Sequence, residues 1–316
     1  MEDKMKKIKS NIVKSLLVML VMVFGVNLVS PSAQVLATDT EGITVTDMVG
    51  QEITLDAPAT RLVVLAPSNA EILFALGAGD VIIGRGEYVD YPAEEVEDIP
   101  QLATGENMNL EEIIALDPEA VISTTMNQTE EQMGQLEEAG IKVITIDAST
   151  IEEVYASIEL LGQIVGYEDE ADDLIEDMQA TFNEYSQKAD EASEEALSVY
   201  YEISPLEFGL WTGGQNTFMD EIGQMLNLEN IFSDVDGWAE ISEEQVLELN
   251  PDYIITTTMP MEGLDPVEEI LGRNGWDAVS AVESENVFQA NSDEFTRPGP
   301  RLKDAIITLY EFVYGE

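Results

Sequence analysis

Aromatic and basic side chains lie in or near several predicted loops of this chain, outside the segments whose hydrophobic residues repeat with a regular period. The aromatic residues are Tyr88, Tyr91, Phe208, Trp211, Trp238 and Phe295, and the basic ones are Arg85 and Arg297. An aromatic ring offers a flat apolar face, and a guanidinium group donates hydrogen bonds to carboxylate or amide oxygens. This combination suits a broad, partly apolar organic ligand. Packing within the loops and salt bridges to neighbouring carboxylates are the alternative interpretations.

The sequence contains no histidine and no cysteine. Ser-His-Asp and Cys-His nucleophiles, His/Cys zinc sites and disulfides are therefore excluded. Carboxylate chemistry of the glycosidase type stays open, although neighbouring carboxylates are expected by chance among 64 acidic residues. We therefore expect no enzyme, with no catalytic residue, no intrinsic cofactor and no metal site. A carboxylate-based hydrolase is the alternative from a different class.

The chain is strongly acidic, with a formal net charge of −51 over 316 residues. Residues 1–37 hold five of the 13 bases and two of the 64 acids, so the remainder has 8 bases and 62 acids, a net charge of −54. Such a surface repels phosphates and anionic lipids, so we expect no nucleic acid partner. The acids are spread along the whole chain, which favours solubility in a saline or alkaline exterior over a specific cation site.

The amino terminus has the order of a secretory signal peptide. A basic leader, Met1–Lys14, precedes an apolar run, Ser15–Val29, and small or apolar residues at Val35-Leu36-Ala37 then precede a polar start at Thr38. An uncleaved anchor is the alternative, but the run is shorter than the ~20 residues that span a bilayer. We predict export to the periplasm or to the outer face of the cell membrane.

Short apolar strands alternate with helices through the first half of the chain, which predicts a mainly parallel sheet covered on both faces. Ile43–Leu55 predicts a β-hairpin, and Ser68 with Glu71 predicts a capping box at the start of the first helix. The predicted strands are Arg61–Ala66, Val81–Gly84, Ala120–Thr124 and Lys142–Ile146, and the predicted helices are Asn69–Leu76, Leu110–Leu116 and Glu130–Ala139.

The second half of the chain repeats part of the first. Asn109–Met126 matches Ser242–Met259 without a gap at an offset of 133 residues. Each copy predicts a capped helix, a turn that ends in proline, and a buried strand. Between the copies, a long acidic helix near Asp169–Ala189 has an apolar face. We predict two lobes joined by this helix, because the period is far longer than that of a stacked repeat.

The predicted organisation is α/β, with two Rossmann-like lobes of mainly parallel strands. Its parts are a signal peptide at 1–37, an N-terminal lobe at 38–150, a helical linker at 151–196 and a C-terminal lobe at 197–316. Parallel sheets bind ligands at the carboxyl ends of their strands, so two facing lobes form a cleft. The aromatic and arginine residues follow those strand ends, and we expect them in the cleft wall.

Several segments resemble the cobalamin and ferric-siderophore receptors of ABC importers. They are APSNAEILFALGAGDVIIG, YVDYP, NLEEIIALDPEAVI, GIKVITIDA, GGQNTFMDEIG, GWAEISEEQVLELNPDYII and DEFTRPGPRL. The resemblance runs from about Ile43 to the carboxyl terminus and implies two lobes bridged by one long helix. It also implies a monomer that docks on the importer's permease dimer through one glutamate per lobe. By motif these are Glu111 and Glu244, the residues that the internal repeat pairs. Solvated surface positions are the alternative for both.

Within this family, the cobalamin-binding proteins are the most similar. The resemblance implies ligand contacts from Tyr88 and Trp238, with Phe208 or Trp211 as a third, whereas a further aromatic position falls near Gly105 and is missing. A ferric siderophore is the second candidate, although a tri-anionic catecholate complex calls for several bases. Haem is the third, with Tyr88, Met126 or Met259 as the only axial ligands. A free metal ion is the least favoured.

Overall fold

The computed structural model describes residues 42–126, 129–193, 197–260 and 265–315. The predicted signal peptide at 1–37 and the end of the predicted linker, 194–196, lie outside the described residues. Within the described ranges the fold is α/β with two parallel sheets, as predicted. No described helix has the length and hydropathy that a bilayer span requires.

The strands are short and mostly buried. They are β1 Ile43–Thr46, β2 Glu52–Leu55, β3 Leu62–Val64, β4 Ile82–Gly86, β5 Gln101–Leu102, β6 Ala120–Ser123, β7 Lys142–Thr145, β8 Leu197–Glu202, β9 Leu210–Gly213, β10 Leu228–Asn230, β11 Trp238–Ile241, β12 Tyr253–Thr256 and β13 Val287–Gln289.

Helices cover the faces of both sheets. They are α1 Pro67–Ala75, α2 Ala93–Val96, α3 Leu110–Ala115, α4 Glu130–Glu138, α5 Ile151–Val165, α6 Glu168–Ala192, α7 Phe218–Met225, α8 Glu243–Leu249, α9 Pro266–Leu271, α10 Ser280–Glu283, α11 Ser292–Thr296 and α12 Leu302–Tyr314. Three short 3₁₀ turns, Gly79–Val81, Gly105–Asn107 and Leu206–Phe208, lie between them.

Each half of the chain builds one parallel sheet. The N-terminal sheet has the order β5-β4-β3-β6-β7, and the C-terminal sheet has the order β10-β8-β12-β13. The hairpin β1-β2 is antiparallel, as its alternating sequence predicts. A second antiparallel ribbon, β9-β11, follows the end of β8. The two sheets confirm the two-lobed architecture.

The internal repeat is preserved in the structure, although α8 is one residue longer than α3. Strands β6 and β12 begin and end at positions 133 residues apart. Their side chains also alternate in the same way. Ile122 and Ile255 belong to the hydrophobic cluster that both lobes share, whereas Val121 and Ile254 each belong to a separate cluster within their own lobe. The residues before the prolines, Asp117 and Asn250, both have positive φ, 52° and 48°. The two lobes therefore share one local design.

The helices α5 and α6 connect the lobes through a common core. The long helix α6 packs against α5 on one side and against α7 and α12 on the other. Its buried residues include Ile175, Met178 and Phe182, from the apolar face that the sequence predicts. The same hydrophobic cluster contains residues of both sheets, so burial of apolar area holds the lobes together.

One local prediction is wrong. The helix α1 begins at Pro67, with Ala66 as its N-cap and no side-chain cap, so Ser68 and Glu71 do not form a capping box. Proline fits the first turn because its missing N–H would have no helical partner there. This start places Glu71 inside the helix with a side chain only 2% exposed. A buried carboxylate needs charged partners, and these come from the other end of the chain.

Candidate functional site

Tyr88 lies at the carboxyl end of β4 in a loop that is held on both sides. Its side chain is 64% exposed. The Glu87 carboxylate accepts hydrogen bonds from the Thr104 amide and hydroxyl, both at 3.0 Å. Val89, on the other side, is buried. The loop therefore presents the tyrosine ring to solvent without needing the ring for its own packing.

Arg85 stabilises the loop that carries Tyr88. Its guanidinium donates to the backbone carbonyls of Val89 at 2.6 Å and Val96 at 3.0 Å. The first bond joins Arg85 to the loop that carries Tyr88. The second joins it to the end of α2, where the Val96 carbonyl also accepts a hydrogen bond from the Ile99 amide. The prediction that Arg85 meets the ligand finds no support in this geometry, and we leave it out of the proposed site.

Arg297 and Arg301 form an ion network with the first lobe. Arg297 Nη1 contacts Glu71 Oε1 at 2.9 Å and Asp90 Oδ1 at 2.8 Å, and its Nη2 contacts Asp293 at 2.9 Å. Arg301 binds both oxygens of the Glu71 carboxylate, donating from Nε at 2.8 Å and from Nη2 at 2.7 Å. The salt bridges that were the alternative interpretation for Arg297 are present, and we leave Arg297 out of the proposed ligand contacts.

The same network reaches the Tyr88 loop. Partial burial of the Asp90 carboxyl opposes ionisation, but the hydrogen bond and positive charge of Arg297 outweigh it, and the pKa of Asp90 is lowered. The Arg301 guanidinium lies over the ring of Tyr91, 4.4 Å from its centroid. Asp90 and Tyr91, two and three residues after Tyr88, are therefore held by arginines from the second half of the chain.

In the second lobe, the ribbon β9-β11 presents two tryptophans on one face. Trp211 pairs with Glu240, and Trp238 pairs with Gly213, so the two rings are diagonal neighbours. They are 41% and 37% exposed. A Cβ on Gly213 would lie 2.9 Å from Cζ3 of Trp238, so the glycine makes room for that ring. The ribbon therefore offers a broad apolar surface.

Trp238 also lies near the connection between the lobes. Its ring contacts that of Phe218, with centroids 5.4 Å apart. The Phe218 amide donates to the carbonyl of Ser149 at 2.6 Å, and the Ile151 amide donates to Glu221 at 2.7 Å. Burial raises the pKa of Glu221 although this amide bond lowers it. The tryptophan is thus anchored to the segment that leaves the N-terminal lobe.

The two predicted phenylalanines differ in environment. Phe208 ends a 3₁₀ turn after β8 and is 70% exposed. Phe295 is 1% exposed, in α11, and packs in the hydrophobic core. Its position near the RPGPR segment suggested a loop residue, but a short helix, Ser292–Thr296, precedes that segment and turns the ring inward. We leave Phe295 out of the proposed ligand surface.

Two methionines complete the exposed apolar edges. Met126 follows β6 and is 66% exposed, and Met259 follows β12 and is 58% exposed. They occupy equivalent positions of the repeat. Methionine is flexible and polarisable, so each lobe has one adaptable apolar side chain at the end of its repeated strand.

A buried ion pair in the second lobe was not anticipated from the sequence. Arg273 grips Glu202 at 2.7 and 2.8 Å and also bonds Glu269. Burial raises the pKa of Glu202 although Arg273 lowers it. Glu202 ends β8, so the pair fixes the strand from which the Phe208 loop departs. An arginine in an acidic chain indicates such a partner, but the sequence does not say which one.

Glu111 and Glu244 lie in the first turns of α3 and α8, and both are exposed. The N-caps Asn109 and Ser242 accept hydrogen bonds from the amides of Glu111 and Gln245. Carboxylates are favoured in the first turn of a helix by its dipole. The repeat thus places one solvent-facing carboxylate at the same point of each lobe.

Among the described residues there is no cluster of acidic side chains arranged to hold a metal ion. The chain contains no histidine or cysteine to complete one.

Comparisons with known proteins agree with the fold. Residues 62–294 match a family described as periplasmic binding protein. The chain is 34% identical over 285 residues to the uncharacterized ABC transporter substrate-binding lipoprotein YvrC of Bacillus subtilis, which covers 88% of both chains. It is 32% identical over 248 residues to the vitamin B12-binding protein of Salmonella typhimurium, covering 77% of this chain and 86% of that one.

A solved structure is also similar. It is that of a possible iron-binding (periplasmic solute-binding) protein from Staphylococcus epidermidis, with a TM-score of 0.73 and 29% identity. The match covers 81% of this chain and 99% of that chain. The chain therefore resembles one protein named for vitamin B12 in sequence and one described as possibly iron-binding in fold.

The contact between Gly213 and Trp238 generates a prediction. In Gly213→Ala, the new methyl group displaces the Trp238 ring, and overpacking lowers the free energy of unfolding by about 1–3 kcal/mol. Urea unfolding measures the loss, and near-ultraviolet circular dichroism reports the ring. The matched control is Gly134→Ala in α4, where a Cβ meets no atom within 4 Å.

In the control variant the free energy of unfolding rises by about 0.5–1 kcal/mol, because alanine is a better helix former than glycine. A Gly213→Ala protein with the stability and the tryptophan spectrum of the unmodified chain contradicts the close packing described above.

Proposed function

Because the chain belongs to the periplasmic binding protein family, we propose that it binds cobalamin outside the cytoplasm and delivers it to an ABC importer. Substrate binding for an importer is the family's activity, and the protein is a non-enzymatic transport component, as the sequence predicts. Its relatives are periplasmic or lipoprotein substrate-binding proteins, consistent with a place outside the cytoplasm. The choice of ligand and the residues that hold it form the proposal.

The observation that carries the proposal is the pair of exposed aromatic surfaces on the two lobes. Tyr88 stands on one lobe, and Trp211, Trp238 and Phe208 stand on the other. A corrin ring is broad, and it buries much of its area when aromatic side chains approach from two sides. The named ligand of the relative from Salmonella typhimurium supports the same choice.

A ferric siderophore is the second candidate, favoured by the description of the similar Staphylococcus epidermidis structure. Haem is less favoured. Because the chain has no histidine, an axial ligand would come from Tyr88, Met126 or Met259, and the two methionines are exposed edge residues of the repeat.

Titration with cyanocobalamin tests the ligand. We expect one-to-one binding, with quenching of tryptophan fluorescence and a perturbed corrin absorption spectrum. Isothermal titration calorimetry gives the Kd. No binding of cyanocobalamin, together with quenching by a ferric siderophore, contradicts the proposal in favour of iron uptake.

Variants of the aromatic residues test the site. Tyr88→Ala and Trp238→Ala each remove one face and weaken cyanocobalamin binding by roughly 10- to 100-fold, as truncation of an aromatic anchor does. Tyr88→Phe keeps the face and stays within about threefold of the unmodified protein. Phe295→Leu, a conservative change in the core, is the matched control away from the surface. Equal Kd values for Tyr88→Ala and the unmodified protein contradict this placement of the ligand.

We further propose that Glu111 and Glu244 dock onto the permease dimer, since equivalent carboxylates on twin lobes match a partner with two-fold symmetry. The double variant Glu111→Ala with Glu244→Ala keeps its affinity for cyanocobalamin and loses uptake in cells that depend on this protein. Uptake of labelled cyanocobalamin is the measurement.

The matched control is Glu112→Ala with Glu248→Ala, which removes two exposed carboxylates from the same helices. We expect this pair to leave uptake unchanged. If the Glu111 and Glu244 variant loses ligand affinity instead, the two carboxylates belong to the ligand site and docking lies elsewhere.

A further inference from the structure

We propose that Asp90 and Asp293 are specificity determinants: they neutralise Arg297 beside Tyr88, so that the site accepts ligands without net negative charge and rejects those with a net negative charge. The inference rests on the ligand surface of the proposed function. It extends that function from a ligand shape to a rule about ligand charge.

The first step is the placement of the bases. The described residues 42–126, 129–193, 197–260 and 265–315 include eight Lys and Arg residues. Three of these, Arg85, Arg297 and Arg301, lie in the segments that flank Tyr88 in space. The other five lie elsewhere. Lys188 and Lys303 are on helices, Arg273 follows α9, and Arg61 and Lys142 are at the amino ends of strands.

The second step is the engagement of those three arginines. Arg85 donates to the backbone carbonyl of Val89 in the Tyr88 loop and to that of Val96 at the end of α2. The Nε and Nη2 groups of Arg301 donate hydrogen bonds to Glu71, and its guanidinium group lies over the ring of Tyr91. An anionic ligand would have to compete with these fixed partners for the same donors.

The third step concerns Arg297, whose side chain is 14% exposed. Glu71 alone could balance only one of the two arginines that share it. Asp90 at 2.8 Å and Asp293 at 2.9 Å add two further carboxylates. Three carboxylates against two guanidinium groups leave this network with a net charge of −1.

The fourth step is the position of the excess charge. Asp90 is two residues from Tyr88 in the sequence, and its side chain is 63% exposed. Across the proposed site, the exposed Glu240 lies on the ribbon face that carries both tryptophans. Carboxylates thus accompany the aromatic rings on both lobes, and they repel a ligand carboxylate at short range.

The chemistry divides the candidate ligands into two groups. The peripheral side chains of cyanocobalamin are uncharged amides, and its one phosphodiester is balanced by the cobalt–corrin cation, so the ligand has no net charge. A ferric hydroxamate complex can also be neutral. Haem has two propionates, and a ferric catecholate complex is tri-anionic. The site selects the first group.

A pair of corrinoids that differ only in charge tests the inference. One is cyanocobalamin, and the other is cyanocobalamin with one peripheral propionamide hydrolysed to propionate. At low ionic strength we expect the Kd of the propionate form to be roughly tenfold higher, and we expect the ratio to shrink as salt screens the repulsion. Equal Kd values, or tighter binding of the propionate form, overturn the inference.

The double variant Asp90→Asn with Asp293→Asn releases Arg297 from two of its partners. The ratio of the two Kd values then falls toward one or inverts, because a cation becomes available beside Tyr88. The matched control, Asp172→Asn with Asp173→Asn, removes the same charge from the exposed side of α6 and keeps the ratio of the unmodified protein. A ratio that changes equally in both variants shows a general effect of net charge and overturns the assignment to Asp90 and Asp293.

Failure of the proposed function gives a different result. If neither corrinoid binds, cobalamin is not the ligand. The Kd values of a neutral ferric hydroxamate and a tri-anionic ferric catecholate are then compared instead. Preference for the neutral complex then supports the charge rule, and preference for the catecholate overturns it. The salt dependence measured on the unmodified protein keeps the test valid even if a variant folds poorly.

Discussion

The buried carboxylate of Glu71 is the constraint on which the proposed ligand surface depends. A charge taken out of water in this way is stable only with charged partners, and removal of one partner from such a pair typically costs 3–5 kcal/mol. Arg297 and Arg301 come from the far end of the chain to provide them. The RPGPR segment is therefore fixed against α1, and through Asp90 and Tyr91 it also fixes the loop that presents Tyr88.

This arrangement separates the framework from the ligand surface. Arginines and their carboxylate partners hold the loops, whereas aromatic rings and methionine side chains of both lobes remain exposed, as do the carboxylates of Asp90 and Glu240. The common core along α5 and α6 adds a second tie between the lobes, since one hydrophobic cluster includes residues of both sheets. A preorganised pair of apolar surfaces loses little conformational freedom on binding, which favours affinity for a rigid, broad ligand.

The sequence predicted the fold well and the side-chain partners poorly. The strands and helices followed from hydrophobic periodicity, and the repeat placed β6 and β12 in the same register, because these patterns are local or internally duplicated. Partners separated by more than 200 residues leave no such pattern, so the bonds of Arg297 to Glu71 and Asp90 could not be chosen among 64 acids. Phe295 was misjudged because a five-residue helix, too short to show a period, decides where its ring points.

The crystal structure of the protein with bound cyanocobalamin tests the central claim most directly. We expect the corrin ring between Tyr88 of one lobe and the Trp211–Trp238 face of the other, with Arg297 still bonded to Glu71 and Asp90. Density for the corrin at another surface, or a ligand oxygen that replaces Asp90 on Arg297, would contradict the account.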